Sequence, residues 1–128
     1  WQHVLEPISG YLQAVEHLAK DRTLPRHWNF GPRPEDVLPV KDVIDFACDS
    51  WNGPAAAKTT GTEQEWYEAR TLVLDSTLAK KYLDWVPSLT TQQAVAWTTQ
   101  WYDAFYRDPA TAPQTTQSQI SAFTALKG

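Results

Sequence analysis

Apolar positions recur at helical spacing over much of the chain. Ile8, Tyr11, Leu12, Val15, Leu18 and Ala19 step by three and four residues, which predicts an amphipathic helix over Pro7–Lys20. Pro7 suits its first turn, where a missing N–H costs nothing, and Gln2–Leu5 before it reads as a short extended piece. Val43, Ile44, Ala47, Cys48 and Trp51 repeat the pattern and predict a second helix over Pro39–Trp51, stopped by Asn52-Gly53-Pro54. Trp28-Asn29-Phe30, closed by Gly31-Pro32, reads as a short buried strand, and Thr71–Leu74 alternates weakly enough to be another. Ala55–Glu63 is small, polar and threonine-rich, the composition of a surface loop. Ser76–Leu83 predicts a short helix.

Two capping signals mark the C-terminal third. Thr90 with Gln93 has capping-box spacing and opens a helix running to about Arg107, ended by Asp108-Pro109. Thr116 with Gln119 repeats that spacing ahead of Ile120 and Phe123, so a last short helix is expected to begin there. The sum is a helix-rich α/β chain of four or five helices with two or three short strands, in one domain over residues 1–128. It is too strand-poor to build a complete Rossmann sheet of its own.

Composition narrows the function classes. A formal charge of −4 offers no basic stripe for phosphates, which argues against a nucleic-acid partner. No apolar run approaches the ~20 residues of a membrane span, and no basic-then-apolar leader opens the chain. The chain contains no methionine and begins at Trp1, so we expect a piece of a longer polypeptide. The single cysteine, Cys48, excludes an internal disulfide and fits a reducing cytoplasm; placed mid-helix among apolar residues, it reads as a core thiol.

Candidate chemistry is sparse. The five glycines are scattered rather than gathered into a phosphate-cradling loop, so this segment is not expected to bind NAD itself. His3, His17 and His27 lack metal-ligand spacing, and Ser9, Ser50, Ser76 and Ser88 read as capping or surface residues rather than nucleophiles. Trp97, Trp101 and Phe105 step by four, with Tyr102 and Tyr106 beside them. Such a stripe either stacks a planar ligand or binds its helix to the rest of the domain, and we favour the second, with Trp51 and Trp85 joining the same cluster.

Several ordered motifs carry a resemblance. Trp1-Gln2-His3-Val4-Leu5-Glu6-Pro7 with Ser9-Gly10-Tyr11-Leu12, then Trp28-Asn29-Phe30-Gly31-Pro32, lead the series. Leu72-Val73-Leu74-Asp75, Ala79 and Leu83-Asp84-Trp85-Val86-Pro87 follow, then Trp97-Thr98 with Trp101-Tyr102, and Thr116 with Gln119-Ile120. The series resembles the C-terminal, substrate-binding lobe of extended short-chain dehydrogenases acting on sugar nucleotides, and among them the CDP-glucose 4,6-dehydratases. It departs from them at Tyr67, where the family often has histidine, at Thr77-Leu78 in place of a Ser-Lys pair, and at Asp84, where it has glycine.

The resemblance implies a division of labour. An upstream Rossmann domain would hold NAD, a Tyr-x-x-x-Lys pair and the acid/base carboxylates. Sugar C4 would be oxidised to a ketone, the C5 proton removed, water lost from C6, and hydride returned. This segment would supply no catalytic residue and would grip the nucleotide sugar. By match to the motifs, Glu68 would accept from the ribose hydroxyls, Arg70 would meet the pyrophosphate, and Trp1 and His3 would line the ligand cleft. The resemblance further implies a cytoplasmic homodimer or homotetramer that supplies deoxysugars for surface polysaccharide such as lipopolysaccharide O-antigen, and an apolar face where the Rossmann domain docks. Two alternatives stand beside it: a lobe of another epimerase or dehydratase using a UDP-, dTDP- or GDP-sugar, and a non-catalytic sugar- or protein-binding module.

Overall fold

A computed structural model of the chain describes residues 1–58 and 72–127. Helix α1 spans Leu5–Lys20, α2 Val40–Ser50, α3 Thr77–Leu83, α4 Thr91–Arg107 and α5 Ala112–Lys127. Single 3-10 turns at Pro34–Asp36 and Pro109–Thr111 lead into α2 and α5. α2 and α5 both pack on α4, while α1 packs on α3.

Helix α1 starts at Leu5, two residues earlier than its proline suggested, which still leaves Pro7 in the first turn. Its buried side is Glu6, Gly10 and Ala14. The predicted apolar stripe is therefore not the buried one: Ile8, Tyr11, Leu12 and Val15 are all exposed. The small residues allow a closer approach than the large ones would. An added Cβ at Gly10 would stand 2.4 Å from the Phe30 ring, so glycine is what lets the helix backbone rest on that ring. Phe30 packs edge-on to Trp85 (centroids 4.9 Å apart) and to Tyr11 (5.5 Å). Phe30 and Trp85 form the core with Ala14, Ala79 and Leu83, and Trp28 packs against it.

No β-strand occurs among the described residues, which are helix-rich as expected; the two or three short strands are not found among them. Trp28–Phe30 is buried at Phe30, as read, but has no ladder partner. Side chains meet the backbone at its end: Gln2 Nε2 donates to the Phe30 carbonyl at 2.9 Å, and the N–H of the following Gly31 donates to Ser76 Oγ at 2.8 Å. Leu72–Leu74 likewise has no strand partner among the described residues; Thr71 lies outside them, as does part of the expected 55–63 loop.

The Thr90–Gln93 capping box is present in both directions, at 3.2 and 2.9 Å. The second one is not. α5 begins at Ala112, four residues before the expected cap, because the Asp108 side chain accepts the Ala110 N–H and turns the chain through Pro109. Thr116 and Gln119 then lie within α5 and tie it to α4. Thr116 Oγ1 accepts from Trp101 Nε1 at 2.9 Å, and Gln119 Nε2 donates to the Trp97 carbonyl at 2.8 Å.

The aromatic stripe also divides. Trp101 stacks on Phe105 (5.3 Å, 10° between planes), and Trp51 sits beside Tyr106 (6.2 Å). Trp85 is not part of this group; it belongs to the α1–α3 core, with its indole N–H on Ser9 Oγ at 3.2 Å.

Candidate functional site

The N-terminal motif folds back across three other elements. Glu6 is 1% exposed, and its Oε1 accepts the backbone N–H groups of both Ser88 and Leu89 at 2.7 Å. That carboxylate fixes the turn leading into α4 against the first turn of α1. Thr91, the first residue of α4, is also buried; its hydroxyl lies 2.6 Å from the Asp36 carbonyl and 3.3 Å from that of Trp1. The Trp1 backbone is thereby held where α4, the 85–89 turn and the turn before α2 meet, while the residue as a whole is 60% exposed.

His3 goes inward. It is 4% exposed and stands edge-on to Trp97 with centroids 5.7 Å apart. Its Nδ1 accepts the Leu5 N–H at 3.3 Å, so the neutral ring carries its proton on Nε2. Burial pulls the imidazole pKa below its ordinary value, and a hydrogen bond with the Gln119 side chain opposes the shift without reversing it. Near pH 7 His3 is neutral.

His3 lines a cavity of about 520 Å3 between Gln2–Leu5, α4 and α5. The other walls include Trp101, Tyr102, Thr116 and Gln119. Trp1 does not line it, although it precedes that wall by one residue. Glu68 and Arg70 lie outside the described residues, as does Tyr67. Of the four residues expected to touch ligand, the structure thus places His3 in a cavity wall and Trp1 on the surface. Sequence reasoning missed Gln2 and Gln119 as site residues. Both stood in the ordered motifs, Gln2 in the opening one and Gln119 beside Thr116, where they were read as motif and capping residues.

A second cleft, of about 690 Å3, runs between Gly31–Glu35, Val73–Thr77 and Trp85–Pro87, with Lys80 on its rim. Its arginine is committed to the fold: the Arg33 guanidinium donates to the Pro87 carbonyl at 2.5 Å and to Asp36 at 3.4 Å. Cys48 lines a third, shallower groove between α2 and α4 and is half-buried there rather than in the core. No cluster of metal-ligating side chains and no helix long and apolar enough to cross a membrane occurs among the described residues.

No model of a known protein family matches the chain. A curated relative does match, and it is a sugar-nucleotide dehydratase. It is the CDP-glucose 4,6-dehydratase of Salmonella typhimurium, 34% identical over 108 residues. The alignment takes in 84% of this chain and 30% of that protein, in its C-terminal region. The chain thus spans under a third of the length of the relative it matches.

Proposed function

We propose that this chain is the nucleotide-sugar-binding part of an NAD-dependent CDP-glucose 4,6-dehydratase, the lyase that makes CDP-4-keto-6-deoxyglucose. The similarity to the Salmonella protein carries the proposal, since it covers most of the chain and agrees with the ordered motifs. NAD does not fit the described residues. Its pyrophosphate needs a glycine-rich turn between strand and helix, whereas Gly10 is packed on Phe30 and the Gly31 N–H is taken by Ser76. Hydride chemistry therefore belongs to a further nucleotide-binding body, for which the exposed α1 face of Ile8, Tyr11, Leu12 and Val15 is a suitable dock.

In this reading the chain positions its substrate. Thr91 and Glu6 hold the Trp1 segment in place, and the exposed indole offers a face to the nucleotide. Glu68 grips the ribose hydroxyls and Arg70 the pyrophosphate, as the motif match implies. Fixing both ends of a flexible substrate removes orientational freedom before the chemical step.

The test uses the longer protein that carries this chain, incubated with CDP-, UDP-, dTDP- and GDP-sugars while the absorbance of the 4-keto product is followed. CDP-glucose is expected to be the substrate, with Glu68→Ala and Trp1→Ala raising KM far more than they lower kcat. Turnover of another nucleotide sugar in its place, or an unchanged KM in both variants, overturns the assignment.

A further inference from the structure

The groove between α2 and α4 that holds Cys48 has an aromatic lining with no task in the packing. Trp51, at the end of α2, and Tyr102 and Tyr106, one turn apart on α4, form a row beside a hollow of about 510 Å3. Tyr102 is 47% exposed and Tyr106 70%, although α2 and α5 already cover α4. The two tyrosine rings stack at 6.1 Å with 25° between planes, and Trp51 lies 6.2 Å from Tyr106. Ala47, Ala55 and Ala56 keep the other walls low and apolar. Three large aromatic faces left open together mark a contact surface.

The polar groups of the groove say what it contacts. The Trp51 indole N–H, which can only donate, makes no hydrogen bond among the described residues and is not closed off from solvent. Thr99 on the floor is 8% exposed, and its hydroxyl is likewise open and without a partner among the described residues. Thr98 differs, since its hydroxyl is spent on the Ala94 carbonyl. No carboxylate, side-chain amide or cation lines the groove among the described residues. Nearby Arg107 is committed to Asp103 and to the Asn52 carbonyl. A ligand rich in N–H or O–H groups would bury donors here with only hydroxyls to receive them. The complementary ligand brings carbonyl oxygens for the donors, apolar rings for the aromatic faces, and no N–H of its own. Prolyl residues have that chemistry, because the ring removes the backbone N–H and leaves the carbonyl. A polyproline II helix also holds its shape before binding, and two of its residues rise about 6 Å, close to the spacing of the three rings.

We propose that the α2–α4 groove docks a proline-rich segment of a partner protein in the polyproline II conformation. Its pyrrolidine rings lie against Tyr102, Tyr106 and Trp51, and its backbone carbonyls accept from the Trp51 N–H and the Thr99 hydroxyl. A glycan would use the same aromatic faces, but each of its hydroxyls brings a proton for which the groove has no carboxylate or amide. A second copy of this chain fits less well. Its most closely spaced prolines, Pro32 and Pro34, flank Arg33, whose guanidinium is tied to the Pro87 carbonyl and to Asp36. The proposal needs nothing from the dehydratase reading.

The test uses the longer protein that carries this chain and a fluorescent decaproline peptide, with binding followed by anisotropy. Saturable binding is expected, and a glycine–serine peptide of equal length should give none. Tyr106→Ala should weaken binding about tenfold. Trp51→Phe keeps a ring and removes the donor, so it should weaken binding about three- to tenfold. Thermal melts check that both variants are folded. Alkylation of Cys48, followed on its own proteolytic peptide by mass spectrometry, should slow at saturating decaproline, because that thiol lines the same groove. This readout needs no variant, so it decides the matter if either variant fails to fold. No saturable binding, undiminished binding in both folded variants, or an unprotected Cys48 overturns the proposal. So does protection of Cys48 by maltotriose in place of decaproline, which would assign the groove to a glycan. Self-association that Tyr106→Ala abolishes, without peptide binding, would assign it to a second copy and overturn the proposal equally.

Discussion

The Glu6 carboxylate is the contact whose removal tests the architecture most directly. It is almost completely buried, and one oxygen receives two backbone N–H groups, from Ser88 and Leu89, each at 2.7 Å. Glu6→Ala would leave both donors without a partner and open a gap where the side chain was. A hydrogen bond to a carboxylate of this kind contributes about 1.5 kcal/mol net, so losing two costs about 3 kcal/mol. That is a large part of the 5–15 kcal/mol that typically separates folded from unfolded domains. With a urea dependence of about 2 kcal/mol per molar, the unfolding midpoint should fall by about 1.5 M. The amide protons of Ser88 and Leu89 should exchange faster than those of the α4 interior.

Glu6→Gln separates hydrogen bonding from shape. It retains an acceptor oxygen for the two N–H groups and should recover at least half of the lost stability. The other oxygen, Oε2, is buried with no hydrogen-bond partner among the described residues, so the amide NH2 placed there would keep the recovery short of complete. A midpoint shift in Glu6→Ala below about 0.3 M, with unchanged exchange at Ser88 and Leu89, would refute the reasoning.

Three other outcomes follow from particular contacts. Gly10→Ala should destabilise by about 1–3 kcal/mol in a thermal or urea melt, because the new methyl meets the Phe30 ring at 2.4 Å; the overpacking outweighs the ~1 kcal/mol that alanine gains in a helix, and a stabilised variant would contradict it. Asp84→Gly should stabilise by about 0.5–1 kcal/mol, since Asp84 caps α3 in the left-handed region at φ 55°, where glycine has no Cβ penalty; an unchanged or lowered midpoint would count against it. His3 has a lowered pKa in the folded chain, so the folded state binds its proton less readily than the unfolded one. Stability should be intact above about pH 6.5 and decline as pH falls from there through the folded pKa, a slope that His3→Gln should diminish; identical pH profiles for the two proteins would exclude His3 as the cause.

Elements fixed by short-range chemistry were legible in the sequence, and those decided by partners distant in sequence were not. The Thr90–Gln93 box joins residues three apart, and its spacing alone located the start of α4. The same spacing at Thr116–Gln119 misled, because Trp101 and Trp97, one helix away, compete for those side chains. Trp28–Phe30 has the apolar aromatic character of a strand, yet the partners of its backbone are Gln2 and Ser76, which no local pattern announces. In α1 the periodicity was right and the face was wrong, since Gly10 and Ala14 are buried by virtue of being small. Asp84 is the converse case: the glycine usual in the resembling family marks a left-handed residue, and Asp84 occupies that conformation. Within the candidate site, His3 and Gln2 were legible only through the opening motif and Gln119 through the one at Thr116, and neither glutamine was given a role in a ligand cleft.

The arrangement also shows why the opening motif is both the most family-like stretch and the most thoroughly tied one. Gln2 binds the Phe30 carbonyl, His3 enters the α4–α5 cavity wall, Glu6 clamps the turn before α4, and Thr91 secures Trp1. Each tether comes from a different element, so a rotation of any one of them would strain the others. A segment held this way can present a side chain with little residual freedom, which is what a ligand-positioning surface requires.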